Sequence, residues 1–199
     1  MVTVLRIGHR RERDRRVTSH LILVARAFGA SRIIIAGDED STLDHTIDKV
    51  VNQWGGEFKL DKRPFEDWNM ILTEWKDSGG NIMHLTMYGE NLLTFEQSES
   101  FHRLQKDPLQ RTKLLIVVGG KKIPGKVFQL ATWNIGVGNQ PHSEVSALAV
   151  FLDHLMPHFL QQRFFGAQHQ ILPSLNGKKK YIEGNKDENQ KSGTNRHYR

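Results

Sequence analysis

The sequence predicts an α/β fold, a parallel sheet with helices on both faces, and three observations carry that expectation. Strand-like and helix-like apolar periods alternate from the N-terminus to Leu155. Two strand runs, Ile33 to Ile35 and Leu114 to Val118, are continuously apolar, as strands covered on both faces are. The 199-residue chain is 38% hydrophobic, enough for one packed core.

Taken in order, Thr3 to Ile7 reads as a short strand, Gly8 to Arg16 as a charged loop, and Thr18 to Phe28 as a helix ended by Gly29. Arg32 to Ala36 is a buried strand. Leu43, Ile47, Val50, Val51 and Trp54 keep a helical period over Thr42 to Trp54. Phe58 to Leu60 is a brief strand, and Pro64 suits the first turn of a helix running to about Lys76. Asn81 to Met87 is a strand, Phe95 to Leu104 a helix, Lys113 to Val118 a strand, Pro124 to Leu130 a short helix and Thr132 to Val137 the last strand of the sheet. The helix that follows carries Val145, Leu148, Ala149, Leu152 and Leu155 on one face and Ala147, Val150 and Phe151 on the other. A helix apolar on two sides needs two covers, and a second subunit would supply one.

From about residue 162 the pattern changes to two strands around the turn-forming Pro173 to Gly177, a C-terminal hairpin appendage over residues 162–184. Residues 185–199 carry almost no apolar content and read as a disordered tail. Residues 1–161 are expected to form the main domain.

Composition narrows the function. The absence of cysteine excludes disulfides and thiolate metal sites. No apolar run approaches the roughly 20 residues of a membrane span, and the N-terminal stretch MVTVLRIGHRRERDRR lacks a signal-peptide core. A soluble cytoplasmic protein is expected. His154 and His158 have helical spacing, but Pro157 interrupts them, so no metal site is expected. The net charge of +6 concentrates at the ends: Arg6 to Arg16 holds six arginines against Glu12 and Asp14, and Lys178 to Arg199 holds seven Lys or Arg against three acids. Basic segments flanking a mildly acidic body point to a polyanion, with Arg10, Arg13, Arg15, Lys178, Lys179 and Lys180 as candidate RNA contacts.

In open α/β sheets ligands collect beyond the carboxyl ends of the strands. Three late strands there run into glycine loops: HLTMYGEN, VVGGKKIPG and NIGVGNQPHSE. Such loops either end strands or let backbone approach an adenine closely. In the third loop Asn139 to Ser143 would cap the following helix, and His142 would be a base, a ligand contact, or a residue that caps or packs. No Walker sequence, no GxGxxG after the first strand and no GxSxG elbow occurs. Asp38 to Asp40 read as a solvated turn, the alternative being a ribose-binding carboxylate of an oxidoreductase.

The blocks HLTMYG, VVGGKKIPGKVF, VGNQPHSEVSALAVFLDHL and LRIGHRRERDRRVTSHLILVARAFGA together resemble the archaeal tRNA cytidine-56 2′-O-ribose methyltransferases of the SPOUT class, over roughly Val4 to Leu155. The middle loop departs from the family pattern at its GGKK. The resemblance implies a deep C-terminal trefoil knot, a homodimer, tRNA as substrate and S-adenosylmethionine as cofactor. Its pocket would comprise Leu85, then Gly119, Gly120, Lys121, Lys122 and Ile123, then Val137, Gly138, Asn139, Gln140, Pro141, His142, Ser143 and Glu144. The class is thought to use an arginine of its first motif, which here makes Arg16 the leading catalytic candidate and Arg10 the second. Since an ordinary arginine is a poor base, its role would be alkoxide stabilisation. The competing reading is a non-catalytic RNA-binding α/β protein.

Overall fold

The structure, a computed structural model, describes residues 2–120 and 123–182. Its chain order is β1 (Val2–His9), α1 (Arg11–Ala27), β2 (Ala30–Gly37), α2 (Thr42–Trp54), β3 (Lys59–Arg63), a 3-10 turn at Phe65–Asp67, α3 (Trp68–Asp77), β4 (Asn81–Asn91), α4 (Leu92–Phe95), α5 (Glu99–Lys106), α6 (Pro108–Thr112), β5 (Leu114–Gly119), α7 (Lys126–Leu130), β6 (Trp133–Gly136), α8 (Glu144–Leu155), a second 3-10 turn at Phe159–Gln161, then β7 (His169–Leu172) and β8 (Lys179–Ile182). Six strands form one parallel sheet in the order β3-β2-β1-β5-β4-β6. The expected fold class is therefore observed at this level.

Because side chains alternate across a strand, each strand feeds two cores. Leu5, Ile7, Ile34, Ala36, Ile82, Leu115 and Val117 pack with Ile71 and Leu72 of α3 and Val127 of α7. The alternate set, with Val4, Ile33, Ile35, Ile116 and Val118, is equally buried, and its member Arg6 reaches α1 and α8, which identifies that face.

Three expectations are corrected. The charged segment Gly8 to Arg16 is mostly helix, α1 starting at Arg11 rather than Thr18. The single helix expected over Phe95 to Leu104 is two, α4 and α5, parted by a turn and capped by Asn91 and Ser98, whose side chains accept from Leu93 N and Phe101 N; α6, with Asp107 as its cap and Pro108 in its first turn, has too little apolar content to show in the periodicity. On α8, Ala147, Leu148, Phe151, Leu152 and Leu155 are all buried inside the chain, while Val150 is 41% exposed. Helix α8 packs on α1, α5, β4 and β5, so most of its second apolar side needs no partner subunit.

The described residues divide into two compact units, residues 2–47 with 57–162, and residues 48–56 with 163–182. In the second, β7 and β8 pair antiparallel from His169↔Ile182 to Leu172↔Lys179. The Trp54 ring meets His169 edge-on at 5.5 Å and lies under Lys180 Nζ at 5.8 Å. The tail expected over 185–199 lies outside the described residues.

Candidate nucleotide and cofactor site

Parallel strands put all their carboxyl ends on one edge of the sheet, and the described candidates that follow β1, β4, β5 and β6 lie at that edge. Ile7 of β1 pairs with Gly119 of β5, so the arginine segment and the Gly119 to Ile123 loop leave the sheet side by side. Gly119 is packed tightly, a side chain there falling 2.8 Å from both Ile123 Cγ1 and Ile7 O, whereas Gly120 faces open space. Lys121 and Lys122 lie outside the described residues.

The loops after β4 and β6 are joined more firmly. Leu85 and Glu90 both pair with Ile135, so residues 86–89 bulge out of the ladder. The Asn139 side-chain amide donates to Met87 O at 2.8 Å and Gly89 O at 3.3 Å, tying the bulge to the loop at 137–143. Leu85 lies buried at the base of this bulge. Gly138 takes φ +74°, a conformation that L side chains rarely adopt, and nothing lies within 4 Å of where its side chain would begin. No main-chain hydrogen bond joins Gly138, Asn139 or Gln140 to another described residue. The loop thus presents unspent N–H and C=O groups over open space, which is the donor set an adenosyl group takes up, and the residues fit the expected cofactor. Gln140 and Pro141 are exposed beside them.

His142 braces this loop. Its Nε2 lies 2.7 Å from Val137 O and its Nδ1 3.1 Å from Ser143 O. Of the roles open to it, the geometry favours packing, the ring lying against its own loop. Ser143 caps α8, its hydroxyl accepting from Val145 N at 3.2 Å.

On α1 the arginines separate into two kinds. Asp14 receives Arg10 Nε at 3.2 Å and Arg13 Nε at 3.8 Å, whereas the side chains of Arg15 and Arg16 are exposed and make no hydrogen bond or ion pair with another described residue. Arg16 is in the second turn of α1, not beside its start. Cations at a helix N-terminus oppose its dipole, and Glu12, Asp14 and an Asp38 carboxylate that accepts from Arg11 N at 3.0 Å offset them. Lys178, Lys179 and Lys180 are exposed on and beside β8.

Sequence reasoning missed a buried polar cluster beneath this edge. Arg6, His9, Thr18 and Asp40 are each no more than 1% exposed. Arg6 Nη1 donates to Thr18 Oγ1 and, at 3.2 Å, to His9 Nδ1; its Nη2 donates to Glu144 Oε1 at 3.1 Å. Since arginine only donates, His9 Nδ1 accepts, and the ring proton sits on Nε2, 3.6 Å from Asp40 Oδ2. Burial, helped by Arg6 and opposed by Asp40, holds the His9 pKa below its ordinary 6.5. Burial pushes Asp40 the other way, but hydrogen bonds from Thr42 N (2.9 Å) and Oγ1 (2.6 Å) and the nearby His9 and Arg15 outweigh it and keep the carboxylate ionised. The solvated turn expected at Asp38 to Asp40 is thus corrected at Asp40. Gly37 makes this burial feasible: any side chain there would fall 2.2 Å from His9 O. The clue in the sequence was Arg6 itself, an inward position of the alternating run VTVLRIG.

His154 is hydrogen-bonded to Glu96. Among the described residues no group of three or more metal-ligating side chains converges, and no helix is long and apolar enough to cross a membrane.

Residues 54–181 match the family model for tRNA ribose 2′-O-methyltransferases. A tRNA (cytidine(56)-2′-O)-methyltransferase of Thermococcus kodakarensis is 50% identical over 181 residues, 90% of this chain and 96% of the relative. Relatives of the same description from Thermofilum pendens and Methanopyrus kandleri are 47% and 43% identical, spanning 89% and 88% of this chain and 93% of each relative. Among solved structures, an RNA 2′-O ribose methyltransferase aligns at TM-score 0.53 with 15% identity, covering 77% of this chain and 55% of that one. The SpoU methyltransferase AviRb of Streptomyces viridochromogenes, solved with AdoMet, aligns at TM-score 0.52 with 12% identity, covering 82% and 59%; likeness at these identities speaks for the fold.

Proposed function

The chain belongs to the tRNA ribose 2′-O-methyltransferase family, and from that premise we propose that it transfers the methyl group of S-adenosylmethionine to the ribose 2′-hydroxyl of cytidine 56 in tRNA. The observation that carries this reading is the cradle formed where Asn139 ties the loop after β6 to the bulge of β4, with Gly138 open above Leu85. S-adenosylmethionine supplies an electrophilic methyl on a sulfonium centre.

The chain's own residues then have three tasks. Leu85, the Gly119 to Ile123 loop and the loop from Val137 to Glu144 hold the cofactor, chiefly through backbone, so that Lys121 and Lys122 need contribute only main-chain groups. Arg10, Arg13 and Arg15 meet phosphates, and Lys178 to Lys180 are separate candidates for phosphate contact, since basic side chains bind RNA backbone with release of counterions. Arg16, its side chain unspent on any acid, stabilises the 2′-oxygen as its proton passes to water, with Arg10 the reserve candidate; a guanidinium serves as donor rather than base.

The finer architecture belongs to the same proposal. Residues 1–161 form the methyltransferase domain and 162–184 the hairpin appendage. A trefoil knot is supported by the crossing of β5 to β6 over β4, followed by the return of α8 onto β4, β5 and α1. A homodimer is supported by Val17 and Leu23 on α1 and Val150 on α8, which remain 37%, 37% and 41% exposed on packed helices. Sedimentation at micromolar concentration should return twice 22.9 kDa, and a mass near one chain would remove the dimer. The enzyme works in the cytoplasm, with its tRNA, and uses no metal.

Titration with S-adenosylmethionine and, separately, with NAD tests the function. Binding of the first alone, with methyl label passing to unmodified tRNA, is expected. Binding of tRNA without S-adenosylmethionine would leave the non-catalytic RNA-binding protein.

A further inference from the structure

Arg6 occupies a place where β1 would otherwise bury an aliphatic side chain. Val2 and Val4 on the same face are fully buried, and alternation carries the next inward position to Arg6. Packing gives little reason for a guanidinium there, because well-packed apolar residues of similar volume are often at least as stabilising as a buried ion pair. Its contacts give a better one. One terminal nitrogen serves Thr18 on α1 and His9 at the end of β1, and the other terminal nitrogen serves Glu144, while Nε has no partner among the described residues. Glu144 is the first residue of α8, directly after the Ser143 cap, so the carboxylate Arg6 holds is also the end of the 137–144 loop.

We propose that Arg6 is a positioning residue, fixing the first turn of α8, and with it the cofactor loop, against the helix that carries the candidate catalytic arginine. The proposal rests on the methyltransferase reading above. A planar fork is needed, since a lysine point charge cannot engage Thr18 and Glu144 from two separate nitrogens in one plane. The neutral His9 supports the arrangement: it accepts from Arg6 through Nδ1 and offers no second positive charge to compete for Glu144.

The test uses the full chain with Arg6→Met, Arg6→Lys, Glu144→Gln and the Arg6→Met/Glu144→Gln double variant. S-adenosylmethionine affinity is measured by calorimetry well below each melting temperature, beside the single-turnover rate on tRNA. Arg6→Met should weaken cofactor binding by about tenfold or more, as loss of one partner of a buried pair does, and Arg6→Lys should recover only part of it. The double variant should bind no more weakly than Arg6→Met, because both changes act through one contact. A residue that merely packs would change the melting temperature and leave affinity per folded molecule untouched; that result, or full additivity of the two single losses, overturns the proposal. If Arg6→Met fails to fold, unchanged affinity in both Arg6→Lys and Glu144→Gln overturns it equally. Failure of the unaltered protein to bind S-adenosylmethionine would instead refute the methyltransferase reading itself.

Discussion

Arg6 and Arg16 stand ten positions apart on consecutive elements, yet the fold treats them oppositely. Arg6 is 1% exposed and divided among Thr18, His9 and Glu144; Arg16 is exposed and its side chain makes no hydrogen bond or ion pair with another described residue. A buried charge must be paired where it stands, because desolvation penalises every unmet donor. An exposed charge can wait for a ligand. Under the proposed function, organisation of the site falls to the buried end of this segment and chemistry to the exposed end.

The largest expected effect tests the exposed end. Arg16→Ala should lower the single-turnover methylation rate at saturating tRNA by about a hundredfold or more, in the range of other electrostatic donors, with cofactor and tRNA affinity changing far less. Arg16→Lys should not rescue fully. If Arg16→Ala keeps the full rate while Arg10→Ala loses it, the roles within the arm are reversed.

Next in size is the cradle between the two ends. Gly138 does not lie in a strand, so valine there meets a strained φ of +74° as well as the cofactor's space. Gly138→Val should cost about 1–2 kcal/mol of stability and weaken S-adenosylmethionine binding by about tenfold or more. Calorimetric affinity equal to that of the unaltered protein would remove this loop from the site.

A smaller effect probes the buried end through pH. His9 and His84 are both held below their ordinary pKa of 6.5 by burial. The unfolded chain therefore takes up protons near pH 6.5 that the folded chain refuses, so stability is complete above that value and is lost as pH falls toward the lowered folded pKa values. The melting temperature should drop between pH 7.5 and 5.5, and less steeply in His9→Gln. A flat profile would show that neither ring is held neutral.

The smallest expected effects concern phosphate contacts. Arg13→Ala and Arg15→Ala should each reduce the salt dependence of tRNA binding by about one charge. Arg13 shares Asp14 with Arg10, but an exposed pair of this kind is worth about 1 kcal/mol or less and leaves both free to turn to RNA. Filter binding across a salt series would expose an arginine whose loss leaves the slope unchanged.

The same contrast explains what the sequence made legible. Helix α2 has the predicted bounds, Thr42 to Trp54, because its apolar residues recur every three to four positions. Helix α1 begins seven residues before the predicted start because Arg and Glu are good helix formers but make no apolar stripe. The glycine loops were legible as candidates through φ-permissive glycines and an Asn and Ser at a cap position. The tie from Asn139 to Met87 and Gly89 was not, since it spans 50 to 52 residues. The burial of Arg6 and Asp40 was hidden because charged residues are ordinarily exposed, and the partner that accounts for Arg6, Glu144, is 138 residues away.

Mass-spectrometric mapping of unmodified tRNA incubated with the protein and S-adenosylmethionine tests the proposed activity most directly. The account predicts a single added methyl group on the ribose of cytidine 56, and no transfer when that position carries a 2′-deoxyribose. A methyl group on a base, on another ribose, or nowhere would contradict it.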